Sequence, residues 1–151
     1  MSGWKTGEAE IQQLLADGHL QRVVGGKVNG EQLLLRAERT LSTASAIVAT
    51  DPESAYVLAY DATRYACISL LARQGLRPTT SGGHYAVERA VRAQFGAGFR
   101  SFGAMRRRRN ELEYPTATEE HADQDEVQDT VDTAQGLIAA AGKLLPALAV
   151  F

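Results

Sequence analysis

Apolar residues recur along this chain at three- and four-residue intervals, and alternating β-branched runs are scarce, so the pattern predicts an all-α protein. Gly and Pro fall between the periodic segments and mark the breaks. Thr6 is placed to cap a short first helix through Ala16, closed by Asp17 and Gly18. A loop from Val23 to Gly30 follows. The second helix is expected to start at Asn29, with Gln32 as its capping-box partner, and to end near Ala49. Leu33, Leu34, Ala37, Leu41, Ala44 and Val48 give it one broad apolar face.

Asp51-Pro52 is a strong start signal, an N-cap followed by proline in the first turn. The helix it opens runs to about Gln74 and stops at Gly75. Tyr56, Ala59, Tyr60, Thr63, Ala66, Cys67, Leu70 and Leu71 cover more than half of its circumference, which predicts the central helix of the fold. Arg77, Pro78 and the Thr79 to Gly83 stretch read as a turn. A fourth helix from His84 to about Phe95 carries Tyr85, Val87, Ala90 and Val91, and Gly96 to Gly98 breaks it. The fifth runs from Phe99 to about Glu113, where Pro115 biases Tyr114 out of helical geometry. Thr116 and Glu119 offer a capping box for a sixth helix to about Lys143. The organisation is then a helix and Gly-rich loop over 1–28, a helical bundle over 29–143 and an apolar tail over 144–151, expected to pack on the body or on a second subunit.

Composition narrows the function. The chain has 151 residues and 44% hydrophobic content, enough for one domain with a core. Lys+Arg 16 against Asp+Glu 18 gives a net charge of -2, so any contact with nucleic acid must be local. The single cysteine, Cys67, excludes an internal disulfide and reads as a small apolar helix residue. The N-terminus lacks a basic segment followed by an apolar run, and no stretch of about 18 apolar residues occurs. A cytoplasmic protein with no membrane partner is expected. His19 and His121 lack metal-ligand spacing, and nucleophile elbow, phosphate-loop lysine and HExxH are missing, so no cofactor or metal is expected.

Charge is concentrated at Met105 to Pro115, which contains Arg106, Arg107, Arg108 and Arg109. At about 100° per residue, Arg109 falls between Phe102, Met105 and Leu112 on the apolar side, and Arg107 falls nearly opposite. An arginine cannot shed its charge, so an inward one needs carboxylates, carbonyls, another subunit or a phosphate. Arg106, Arg108 and Arg109 are the candidate nucleic-acid contacts. The alternative is a solvated basic helix paired with the acidic first half of the sixth helix. Arg106, Asn110 and Tyr114 follow at four-residue spacing and form a polar strip beside Arg109. His84, after Ser81-Gly82-Gly83 at a helix start, is a further candidate, or else a capping or surface histidine. Asp61 either pairs with Arg64 or supplies the carboxylate that Arg109 needs.

Three segments together carry a family resemblance: Ser54 to Ala66, then Leu71 to Thr79 with Gly83-His84, and finally Arg109-Asn110-Glu111-Leu112-Glu113-Tyr114-Pro115. In that order they resemble the HEPN superfamily of small helical-bundle proteins, most closely one of its actinobacterial branches, over about Leu33 to Ala141. The resemblance implies a four- or five-helix up-and-down bundle that forms a homodimer, with the arginine motifs of two subunits facing one cleft. Active members are metal-independent endoribonucleases in which arginine holds the scissile phosphate and histidine moves protons. Many are toxins paired with a nucleotidyltransferase antitoxin. Here Tyr114 stands where the family has its histidine. The implied catalytic positions are Arg109, Asn110 and Tyr114, and the implied ligand is RNA or a nucleotide. Two other readings stand beside this one: a non-catalytic interaction module of a toxin-antitoxin or regulatory pair, and a small-ligand binder using a cavity beneath Tyr56 and Tyr60.

Overall fold

The computed structural model describes residues 4–24, 29–115 and 121–151. Helices dominate these residues: α1 (Glu8–Ala16), α2 (Glu31–Ile47), α3 (Pro52–Arg73), α4 (Gly83–Phe95), α5 (Arg100–Glu113) and α6 (Gln124–Leu144). Single 3-10 turns follow α4 (Gly96–Phe99) and α6 (Leu145–Ala147). No helix among the described residues is long and apolar enough to cross a membrane.

α3 is the hub, as its composition predicts. It packs against α2, α4, α5 and α6, and twelve of its residues are buried. Asp51 caps it, with a carboxylate that accepts from the Ser54 N–H at 3.2 Å and the Ser54 hydroxyl at 2.6 Å. The helix stops where Gly75 takes φ 75°, a left-handed turn that lets its N–H reach the Ala72 carbonyl. Cys67 lies inside, and burial pushes its thiol pKa up.

Four local expectations are corrected. The fold is not purely helical: β1 (Leu20–Arg22) pairs antiparallel with β2 (Leu76–Pro78) in the register Leu20↔Pro78, Gln21↔Arg77, Arg22↔Leu76. The Arg77-Pro78 turn is therefore a strand, too short for its alternation to register. Proline fits because a two-stranded sheet is all edge. α1 starts after Gly7, whose φ of 77° sets the entry, without a side-chain cap from Thr6. α2 starts at Glu31; the Asn29 side chain accepts from the Glu31 N–H at 2.9 Å, and the expected Gln32 return is not among the bonds of the described residues. α6 starts at Gln124, where Asp123, itself extended, caps the Glu126 N–H at 2.9 Å. The proposed Thr116 and Glu119 cap falls outside the described residues.

The ends of the chain are tied to one buried node. Gln74 and Gln94 exchange side-chain amide bonds at 2.5 and 3.0 Å, fully enclosed between α3 and α4. The Gln94 carbonyl accepts from the Trp4 indole at 2.8 Å, and the Gln74 carbonyl accepts from the Phe151 N–H at 2.9 Å. The tail thus packs on the body, with Leu145 and Leu148 buried.

Candidate functional site

Three helices place polar side chains around one point. On α3, Tyr60 and Arg64 are four residues apart and share a face. Tyr60 is fully buried, its ring stacked on Phe102 of α5 at 5.4 Å between centroids and an interplanar angle of 6°. Such a pair adds about 0.5–1.5 kcal/mol beyond its area burial. The phenol oxygen is left 2.8 Å from Nδ1 of His84, at the start of α4.

The α4 start is held close by its surroundings. Thr79 donates its hydroxyl to the Gly18 carbonyl at 2.6 Å and accepts from the Gly82 N–H at 3.2 Å. Gly82 lies so near the His19 carbonyl that a Cβ there would collide with it. His84 is pinned one turn from these contacts.

Burial is the main cause that depresses the His84 pKa, followed by the positive charges of Arg64 and Arg109, with Arg106 adding to them and Asp61 opposing. Burial also pushes the Tyr60 phenol up, so it keeps its proton. The Tyr60 hydroxyl and the imidazole thus share one hydrogen bond, in which the ring tautomer sets which of the two donates. Nε2 has no hydrogen-bond partner among the described residues.

The arginines divide by environment. Arg106 and Arg109 are mostly covered, with side chains 22% and 21% exposed, whereas Arg107 is 60% exposed, consistent with opposite helix faces. Arg109 meets Glu113 at 3.0 Å and lies over the Tyr60 ring at 5.8 Å, and its Nε is buried without a partner among the described residues. The Nε of Arg64 is in the same condition, 3.9 Å from the Asp61 carboxylate. Asp61 thus faces Arg64, and the carboxylate beside Arg109 is Glu113. Arg108 turns the other way. It binds Glu126 of α6 at 2.9 Å, Glu111 at 2.9 Å and the His121 carbonyl at 3.0 Å, which is the basic-on-acidic helix pairing anticipated as the alternative for this segment.

Glu88 is the residue that sequence reasoning missed. It is buried on α4, and its carboxylate meets Arg106 at 2.7 Å and Arg107 at 3.7 Å. Desolvating a carboxylate costs several kcal/mol unless it is paired this way. Gly103 of α5 makes the pairing possible, since a Cβ there would fall on the Glu88 carboxylate. The four-residue spacing of His84 and Glu88 was the available signal.

Other expected positions lie apart. Asn110 is exposed and touches Arg109 only weakly, at 3.4 Å, and Tyr114 is 73% exposed with its N–H on the Asn110 carbonyl. The polar strip thus joins the cluster around His84 at Arg106 alone. Tyr56 lines a shallow groove of about 320 Å³ with Arg108, Glu126 and Thr130, and Tyr60 is not in its wall. No His/Cys/Asp/Glu cluster suited to a metal ion occurs among the described residues.

Chemically, the charges of Arg64, Arg106 and Arg109 act on a neutral imidazole that Tyr60 orients. Unsatisfied guanidinium N–H groups beside such a ring suit an oxyanion. Comparison with protein-family models, curated proteins and solved structures gave no match.

Proposed function

We propose that the chain is a HEPN-like helical-bundle protein that binds RNA, or a nucleotide of it, through its phosphate groups. The contacts are made in the cleft formed by Arg64, Arg106 and Arg109 around His84. The observation that carries this reading is that two mostly covered arginines whose charges act on His84, Arg64 and Arg109, each keep a buried Nε with no hydrogen-bond partner among the described residues, beside their ion pairs to Asp61 and Glu113. A phosphate oxygen supplies a further acceptor to guanidinium groups whose N–H donors are not all used by these carboxylates. A net charge of -2 makes this a local attraction, not a global one.

The same reading brings a homodimer in which two such clefts face each other, and an antitoxin of the nucleotidyltransferase type as the partner in a toxin-antitoxin pair. It assigns phosphate contact to Arg109 and moves the proton-transfer position from Tyr114 to His84, whose ring is held by Tyr60. The reading commits to binding; metal-independent RNA cleavage is a separate property, and His84→Ala separates the two.

The test is binding of a single-stranded RNA oligonucleotide to wild type and Arg109→Ala across a salt series, with cleavage followed in parallel. Weaker binding and a shallower salt dependence in a folded variant support the reading. Unchanged RNA binding with an altered oligomeric state points instead to a non-catalytic interaction module.

A further inference from the structure

Tyr85 follows His84 in the first turn of α4, and its ring faces outward. The ring combines exposure with flanking positive charge. It is 53% exposed, although its neighbours Ala86 and Val87 are buried. Two guanidinium groups also lie against it, Arg106 at 5.8 Å and Arg89 at 5.6 Å from the ring centroid. Arg89 is held by Glu10 of α1, and Arg106 by the buried Glu88, so neither arginine depends on the tyrosine for its position. Tyr85 also forms one wall of a groove with Glu88, Arg89 and Arg92.

A lone exposed aromatic ring is ordinary on a protein surface, but this one shares Arg106 with the His84 cluster. A flat ring beside a phosphate-binding guanidinium is the arrangement that single-stranded nucleic acids use, stacking a base on the ring while the backbone runs along the cations. Arg106 belongs to both features. It is one of the charges acting on His84, and it contacts the Tyr85 ring, so one nucleotide can present its phosphate to the cleft and its base to the ring.

We infer that Tyr85 is a base-stacking platform, and that the cleft is built for single-stranded RNA instead of duplex or a bare phosphate. This rests on the phosphate reading above and names the substrate class for the same site. Stacking is tolerant of base identity because every base has a π-face, so no sequence preference is expected.

Fluorescence anisotropy with a labelled single-stranded RNA and an abasic strand of equal length and charge tests it. Wild type is expected to bind the intact strand roughly ten-fold more tightly than the abasic one. Tyr85→Ala brings the ratio to about one, and Tyr85→Phe keeps it, because the ring and not the hydroxyl does the stacking. Equal binding of both strands by wild type, or an unchanged ratio in Tyr85→Ala, overturns the platform and leaves the phosphate reading standing. Absence of binding to either strand overturns both. Preference for a duplex of the same sequence over the single strand also overturns the platform.

Discussion

The Tyr60 hydroxyl and His84 Nδ1 lie 2.8 Å apart although the residues are 24 positions apart in sequence. That bond joins the central helix to the first turn of α4 and fixes the imidazole in one orientation. Held there, the ring is buried beside Arg64 and Arg109, and the consequence is electrostatic. The unfolded chain binds a proton at His84 more readily than the folded one, because the folded pKa is lowered from 6.5. Stability from this group is therefore fully present above pH 6.5 and is lost as pH falls through the lower folded pKa. NMR titration of the imidazole should give a value below 6.5. Arg64→Ala, which removes the largest of the charges that lower it, should move it upward, and so should saturating inorganic phosphate. A midpoint at or above 6.5 in the free protein would count against the arrangement.

Gly103 should be intolerant of any side chain. Alanine there meets the Glu88 carboxylate, which is enclosed and cannot retreat without leaving Arg106 unpaired. Gly103→Ala is expected to cost about 1–3 kcal/mol in chemical denaturation. It should weaken RNA binding as well, since Arg106 loses its anchor. A variant as stable as wild type would show that α4 and α5 approach less closely than described.

Much of the architecture is legible in the sequence because it depends on local chemistry. Asp51-Pro52 announces the start of α3, and the run of small and aromatic residues after it announces burial, since both signals lie within a few residues of their effect. The differing exposure of Arg107 and Arg109 also follows from helical spacing alone. The elements that escaped depend on distant partners. β1 and β2 have three residues each and exist because they pair with one another across more than 50 positions. The Tyr60–His84 bond and the Glu88–Arg106 pair likewise join different helices. Tyr85 reads as an apolar helix position, yet α4 turns it outward while Ala86 and Val87 take the inward places.

The Gln74 and Gln94 amides satisfy each other where water is excluded. Truncating one leaves the other unpaired, so Gln74→Leu or Gln94→Leu alone should cost about 1–3 kcal/mol. The double variant should cost less than the sum, because no orphaned amide remains. Thermal denaturation of the three variants measures this directly, and strict additivity would contradict the pairing.

Arg108 and Arg109 are adjacent in sequence and should behave oppositely. Arg108 is engaged with Glu126, Glu111 and the His121 carbonyl. Arg108→Ala should lower stability by about 1 kcal/mol or less, as suits a partly exposed network, and leave RNA affinity within about two-fold. Equal losses of RNA binding in the two alanine variants would indicate a diffuse basic patch.

The most direct measurement is the slope of the logarithm of RNA affinity against the logarithm of salt concentration, for folded wild type and Arg109→Ala. Each phosphate contact to a single strand contributes a slope of about -0.7. The cleft predicts a negative slope in wild type that becomes shallower by about 0.7 when Arg109 is removed. Identical slopes and affinities for the two proteins, or no measurable RNA binding by wild type at low salt, would contradict it.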